Sequence, residues 1–409
     1  MLKINEKRLL SDIEDLARIG ATADGGVARP ALTPADIEAR RWFQRKIAQA
    51  GLAYAQDGAG NQSAILYSDP PSEKRILAGS HLDSVPNGGR YDGSLGVLVA
   101  LEALRALKDH DIMPALTLEA LNFTDEESAI MGLMGSKAVA GRMTMADFGR
   151  SRVDAAELSR RFSAAGITRE SMLTATRDDV LAWVELHIEQ GTRLESAGLD
   201  IGVVDAIVGI RSLNVTFRGE AAHAGTMPMN QRRDALWGAA SFVLRTRRHV
   251  MDNYSPGVCN VGMIQAAPGA FNIVPAEVAC ALEFRHGSDA EMDAMEADLL
   301  RLLEECAAEF DLSVSYQATP PVIPARMSET VMGAIERAAD TLELSRERML
   351  SFAGHDTQNM AAIAPAAMYF VPSVRGVSHN PNERTTDDDC VKGANLMLHT
   401  LLELTQALA

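Results

Sequence analysis

His81 and Asp83 stand two residues apart at the end of a short apolar run, Ile76 to Ala78, so alternation along a strand points both side chains the same way. That spacing suits one metal ligand and its supporting group. A turn rich in Gly and Asn (Asn87, Gly88, Gly89) then reverses the chain and returns a second carboxylate, Asp92, toward the same strand end. Downstream, Asp125, Glu126 and Glu127 follow the apolar run Leu116 to Phe123. Converging carboxylates raise one another's pKa unless a cation compensates. With cations present the two glutamates can divide roles, one ligating and the other taking a proton from water. His187 and His379 each precede residues typical of turns. Any one of these groups alone is as readily a core histidine or an acidic helix start. Together His81, Asp92, Glu127, His187 and His379 supply five ligands, enough for two metals that share one carboxylate. Imidazole with carboxylate and no thiolate suits zinc, manganese, cobalt or nickel rather than copper(I) or an iron-sulfur cluster.

The elements that must position these residues alternate. Thr33-Pro34, the apolar positions Ile37, Trp42, Phe43 and Ile47, and Gly51 predict a surface helix. Strand-like runs at Ser63 to Tyr67, Arg75 to Gly79, Leu116 to Phe123 and Ala182 to Ile188 are separated by helical patterns, including Leu95 to Leu107, which predicts an α/β sheet covered by helices. From about Gly209 the texture changes. Ser212 to Phe217 reads as a strand, Asp234 to His249 as a helix, Val258 to Gln265 and Val274 to Phe284 as strands, and Ser288 to Phe310 as a long amphipathic helix. This succession predicts an α+β module of the ferredoxin-like kind inserted into the first domain. The expected organisation is a domain of residues 1–208 and 326–409 with an insertion of residues 209–325. Helix at Ser328 to Leu342, strand at Ala367 to Val371 and helix at Asp389 to Leu404 complete the first domain.

The 409 residues exceed the size at which one core usually divides, and 47% hydrophobic content supplies two. A net charge of −16 argues against a phosphate-binding surface and hence against nucleic acid as a partner. Cys259, Cys280, Cys306 and Cys390 form no Cys-x-x-Cys pair, which fits reduced thiols and a cytoplasmic protein. Charged residues interrupt the N-terminal segment, and no stretch reaches membrane-spanning length, so neither a signal peptide nor a membrane partner is expected.

In order and context, His81-Leu82-Asp83, Asp92-Gly93, Glu126-Glu127, His187 and His379 resemble the co-catalytic metallopeptidase family that includes aminoacylases and zinc carboxypeptidases. Asn87-Gly88-Gly89, His187-Ile188-Glu189-Gln190-Gly191, Gly354-His355-Asp356 and Ser378-His379-Asn380 resemble more narrowly its amidase branch: N-carbamoyl-L-amino-acid hydrolases, β-ureidopropionases and allantoate amidohydrolases. The resemblance covers nearly the whole chain. It implies a mixed-sheet, zinc-peptidase-like catalytic domain with an inserted dimerisation and lid domain hinged near residues 208 and 326. It also implies two divalent ions per subunit, zinc first, with manganese, cobalt or nickel as alternatives. Asp92 would bridge them, with His81 and His187 on one side and Glu127 and His379 on the other.

By the same resemblance Glu126 is the general base, and Asp83 holds the second nitrogen of the His81 ring. His223, in Glu220 to Gly225, would act on a neighbouring subunit's site, which implies a homodimer. Asn272 and Arg285 match the clamp for a substrate carboxylate, Gln190 would address the carbamoyl amide, and Gly354 and His355 would assist the developing oxyanion. Arg211 is a further candidate for that pocket. The implied reaction is hydrolysis of the carbamoyl C–N bond of an N-carbamoyl-L-amino acid by a metal-bound hydroxide. Allantoate amidohydrolase and β-ureidopropionase are alternatives, followed by a dipeptidase or aminoacylase, or a metal-free scaffold. Phe352 departs from the small residue that the family keeps near Gly354, which touches the pocket's shape.

Overall fold

The computed structural model describes residues 1–409, which divide into two compact units: residues 1–205 with 327–409, and residues 206–326. In chain order the strands are β1 (Ala53–Gln56), β2 (Gln62–Leu66), β3 (Arg75–His81), β4 (Thr117–Phe123), β5 (Val180–Ile188), β6 (Ile201–Ile207), β7 (Gly209–Arg218), β8 (Val258–Ala267), β9 (Glu277–His286), β10 (Ser313–Ala318), β11 (Ala325–Arg326), β12 (Arg346–Ser351) and β13 (Ala366–Val371).

The larger unit is built on a nine-stranded sheet in the order β1-β2-β4-β3-β5-β13-β6-β11, with β12 paired to β6. Its four central strands run parallel: β3 pairs with β4 and with β5, and β5 pairs with β13. Both faces of such strands are covered, and β4 and β13 are accordingly buried along their whole length. Their carboxyl ends therefore emerge side by side at one edge of the sheet, where ligands of α/β proteins are held. This topology puts His81, the Glu126-Glu127 pair, His187 and the loop after β13 together.

The helix Ser94–Asp109 follows Asp92 and packs on β3 and β4, with every residue from Leu95 to Leu107 buried. A helix buried on all sides belongs in a core, and its two buried charges, Glu102 and Arg105, are paired with Arg8 and Asp12. Its start is tight. Gly93 has φ +61°, and a Cβ there would meet the His81 ring within 2.4 Å, so glycine is required both for the backbone and for the approach of the imidazole.

The smaller unit has an antiparallel four-stranded sheet, β10-β7-β9-β8, with the helices Ala235–Asn253 and Asp289–Glu309 following β7 and β9. The connection from β7 to β8 steps over β9, which gives the split βαβ arrangement of ferredoxin-like modules. Its core is Leu213, Val215 and Phe217 from β7, Phe242 from the first helix, Leu282 and Phe284 from β9, and Met292, Met295, Leu299 and Leu303 from the second. The inward faces of strands and helices alternate here with solvated ones. All four cysteines are free thiols. No helix is long and apolar enough to cross a membrane.

Candidate metal centre

The five sequence-predicted ligands gather at the carboxyl ends of the parallel strands. Their donor atoms form two groups that share one residue: His81, Asp92 and His187, and Asp92, Glu127 and His379, all within 4.8 Å of one another in each group. Asp92 Oδ1 lies 3.2 Å from His187 Nε2 and 3.7 Å from His81 Nε2, and its Oδ2 lies 3.4 Å from His379 Nε2. His379 Nε2 is 3.5 Å from Glu127. Each carboxylate oxygen of Asp92 thus addresses a different group, as a bridging ligand must.

The donor set fits cations. His187 Nδ1 donates to the Ile188 carbonyl at 2.9 Å, and the Gly93 amide donates to Nε2 at 3.2 Å, so Nε2 is the nitrogen free to take a cation. His81 Nδ1 is likewise held by a carbonyl, that of Asp83, at 3.0 Å. Two imidazole lone pairs then face one oxygen of a buried carboxylate, an arrangement that needs a positive charge between them. Glu127 Oε1 is buried with no hydrogen-bond partner. A ligand oxygen turned toward a cation explains that vacancy.

The electrostatics show the same demand for positive charge beside Asp92. Burial pulls His81 down to about 4, which keeps its ring neutral. Burial also opposes charge on His187, but the Asp92 carboxylate outweighs it and raises His187 to about 9, so a proton on Nε2 competes for the place beside Asp92 that a cation would fill. Contacts with His187, His379 and His81 keep Asp92 well below the usual carboxylate range despite its burial. Burial, then the charge of Asp92, lifts Glu127 to about 8. Burial and the neighbouring carboxylates Asp356, Glu127, Asp83 and Asp92 push Glu126 far up, a further sign that this cluster of acids calls for cations. Glu126 reaches within 3.6 Å of His81 Nε2 and leaves 11% of its side chain exposed.

One expected role moves from one atom of a residue to another. The resemblance gives the Asp83 carboxylate to the His81 ring, yet that carboxylate is 3.8 Å from Nδ1, which bonds to the Asp83 main-chain oxygen instead. The carboxylate accepts the amides of Glu126 and Glu127 at 3.3 and 3.2 Å. Asp83 lies beyond the end of β3, where the chain turns, so alternation no longer fixes its direction. The three successive acids also separate. Asp125 turns away to accept the amides of Ile130, Met131 and Gly132 at 2.9, 2.6 and 3.1 Å, and so shapes the loop after Glu127.

A cavity of about 340 Å³ opens over these ligands and includes Glu126, Gln190, Gly354 and His355. Gln190, at φ +56°, donates from its amide to Asp92 Oδ2 at 2.8 Å. His355 is buried, with Nε2 3.0 Å from the Ser351 hydroxyl and its ring 4.5 Å from that of His187.

The remaining predicted residues lie in the smaller unit. His223 is exposed. Its Nδ1 accepts the Gly225 and Thr226 amides at 3.1 and 3.2 Å, which leaves Nε2–H as an outward donor. Asn272 is exposed, and its carbonyl takes the Ala224 amide at 3.0 Å, tying it to the His223 segment. Arg285 pairs with Glu283 at 2.7 Å. Arg211 is already occupied, since its guanidinium forks onto Asp293 at 2.6 Å and Glu296 at 2.7 Å.

Sequence reasoning missed three residues that support the centre. Glu383 accepts the amides of Tyr91 and Asp92 at 3.0 and 3.1 Å, and the Ser378 hydroxyl reaches Asp92 Oδ2 at 2.9 Å. Arg29 is wholly buried and donates to the Leu82 carbonyl and the Ser94 hydroxyl, both at 3.0 Å, clamping the two segments that carry His81 and Asp92. The only sequence signal for Arg29 is a lone charge in the apolar stretch Val27 to Leu32.

Residues 77–403 match the model of peptidase family M20/M25/M40. The chain belongs to this family. Among M20 relatives, the N-carbamoyl-L-amino acid amidohydrolase of Geobacillus stearothermophilus is 34% identical over 98% of this chain and 99% of its own length. The allantoate amidohydrolase of Escherichia coli (strain K12) is 32% identical over 95% of both chains. A solved amidase of the hydantoinase/carbamoylase family from Burkholderia multivorans superposes with a TM-score of 0.91 at 34% identity, covering 98% of each chain. Membership of the M20 family and the two donor groups support the binding of divalent metal.

Proposed function

We propose that this chain hydrolyses the carbamoyl C–N bond of an N-carbamoyl-L-amino acid, with two divalent ions per subunit, zinc in the first place. The observation that carries the reading is the pair of donor groups sharing Asp92, with Glu126 beside them at the floor of the cavity. Full-length relatives named for this activity support the choice of bond. When bound, the cations lower the pKa of water and polarise the ureido carbonyl.

On this reading Glu126 accepts a proton from the attacking water and returns it to the departing nitrogen. The products are the amino acid, carbon dioxide and ammonia. Gln190 orients the carbamoyl amide while its own amide steadies Asp92. The outward Nε2–H of His223 supplies a donor to the developing oxyanion of a neighbouring subunit. Asn272 and Arg285 bind the substrate carboxylate, for which a guanidinium offers two parallel donors.

The homodimer that this requires is supported by the surface of the smaller unit. Its edge strand β8 exposes Val258, Met263 and Ile264, and the helix Ala235–Asn253 exposes Leu244 and Met251. Unpaired edges with apolar side chains invite a second copy. The reduced thiols and the lack of a membrane-spanning helix favour a cytoplasmic site of action.

Allantoate hydrolysis is the second reading, because allantoate amidohydrolases match at 32% and 33% identity. Metal-reconstituted protein should be assayed against N-carbamoyl-L-amino acids, allantoate and N-carbamoyl-β-alanine side by side. Preferred turnover of the first class supports the proposal. Preference for allantoate moves it to the second reading, and inertness toward every ureido acid removes both.

A further inference from the structure

The cavity over the metal ligands contains one side chain of permanent positive charge, Arg152. The acidic groups around it are Asp92, Glu126 and Glu127. Its guanidinium is exposed and bonds to no carboxylate of the chain, in contrast to Arg161, paired with Glu157, and Arg177, paired with Glu119 and Asp179.

The backbone beneath Arg152 is fixed. Its amide donates to the Ile130 carbonyl at 2.9 Å, and Ile130 belongs to the loop that the Asp125 carboxylate braces through three amides. The next residue, Val153, packs against the cluster that holds Ile130, Phe148 and Phe162. A pinned main chain thus carries a free guanidinium to the rim of the cavity. In a chain of net charge −16, such a group is a ready anchor for an anion.

We propose that Arg152 is a specificity-determining residue that binds the side-chain carboxylate of an acidic ureido acid, of the N-carbamoyl-L-aspartate or N-carbamoyl-L-glutamate class. This rests on the proposed reading of the site, in which Asn272 and Arg285 take the α-carboxylate. Arg152 belongs to the metal-bearing unit and is left for a second acid group. The fork of a guanidinium matches a carboxylate, whereas the isosteric amide of an asparagine or glutamine side chain offers one acceptor and no charge.

The metal-loaded protein and its Arg152→Gln variant should be compared on N-carbamoyl-L-aspartate against N-carbamoyl-L-asparagine, and on the glutamate and glutamine pair. The acid-to-amide ratio of kcat/KM is expected to fall about 10- to 100-fold in the variant, chiefly through KM, as for loss of a hydrogen bond to a charged group. Arg152→Lys should restore part of that ratio, and Arg152→Glu should depress it further. A ratio that stays the same, including an equal loss on every substrate, overturns the assignment.

Calorimetric binding of the same four compounds to metal-loaded Glu126→Gln protein, with and without Arg152→Gln, separates this inference from the reaction. If no ureido acid is turned over, a preference for acid over amide that depends on Arg152 still upholds the binding role while the reaction fails. Absence of that preference in protein retaining Arg152 overturns the role whatever the turnover.

Discussion

The metal cradle and the polar residues of the inserted unit are built by opposite rules. In the cradle His81, Asp92 and His187 are buried, and the protein fixes each from behind: carbonyls of Asp83 and Ile188 orient the two rings, Gln190 and Ser378 reach the carboxylate, and Glu383 holds its main chain. In the inserted unit His223 and Asn272 lie on the surface, and the His223 ring is held only by two amides of its own turn. The cost of ordering the cradle is met once, during folding, so the ligands stand ready for cations. Surface residues keep their freedom and cost little to alter.

The largest effects should therefore come from the cradle. Removal of divalent metal by a chelator should abolish turnover and lower the melting temperature, because ions bound only to the folded state stabilise it by about 4 kcal/mol at a thousandfold excess over Kd. Asp92→Asn should remove the stabilising effect of added zinc, as read by calorimetry. A metal-induced shift of undiminished size in that variant would exclude Asp92 as the shared ligand. Glu126→Gln should cost about 10² to 10⁴ in kcat while elemental analysis finds metal still bound. Near-normal turnover would take the proton-transfer role away from Glu126.

His223→Ala should cost about 10² to 10³ in kcat, the usual loss for one oxyanion donor. Because His223 is proposed to act across subunits, mixing inactive His223→Ala with inactive Glu126→Gln protein should recover activity. In the mixed dimer one site has both residues. No recovery after verified subunit exchange would place His223 in its own subunit's site or outside catalysis.

The same contrast explains what was legible in the sequence. Ligand types and strand ends could be read because parallel strands need apolar runs, and a histidine or carboxylate closing such a run stands out: His81 closes β3, and His187 closes all but one residue of β5. The helices Pro34–Gln49 and Asp289–Glu309 lie within two residues of their expected limits, since caps and apolar period agree. Short strands were missed. β1, β6 and β12 are edge or near-edge elements whose pairing depends on neighbours distant in sequence. Supporting groups such as Glu383 and Arg29 were hard to read for a related reason, because their partners lie far along the chain and a lone charge does not say what it bonds to. The Asp83 carboxylate shows the limit at single-atom scale: alternation predicts a side for a residue within a strand, and Asp83 lies just beyond one.

The smallest predicted differences concern stability, and they test the contrast without reference to catalysis. Glu119 in the interior strand β4 is buried, and Arg177, Ser63 and Arg75 bond to its carboxylate at 2.6, 2.5 and 3.0 Å. Burial works against its charge, but these partners prevail and hold it below the ordinary glutamate value. A depressed carboxyl stabilises the fold above its unfolded pKa of about 4.3, and that contribution disappears as pH falls through the lower folded value. Glu119→Gln should thus cost about 3 kcal/mol at pH 7. The difference from the unaltered protein should shrink in acid, where both chains lack the charge. His223→Ala should stay within about 0.5 kcal/mol at either pH, as befits an exposed residue outside any core. Denaturant titrations at neutral and acid pH read both variants. An equal loss for Glu119→Gln at the two pH values would mean that packing, rather than the buried ion pair, secures this part of the catalytic unit.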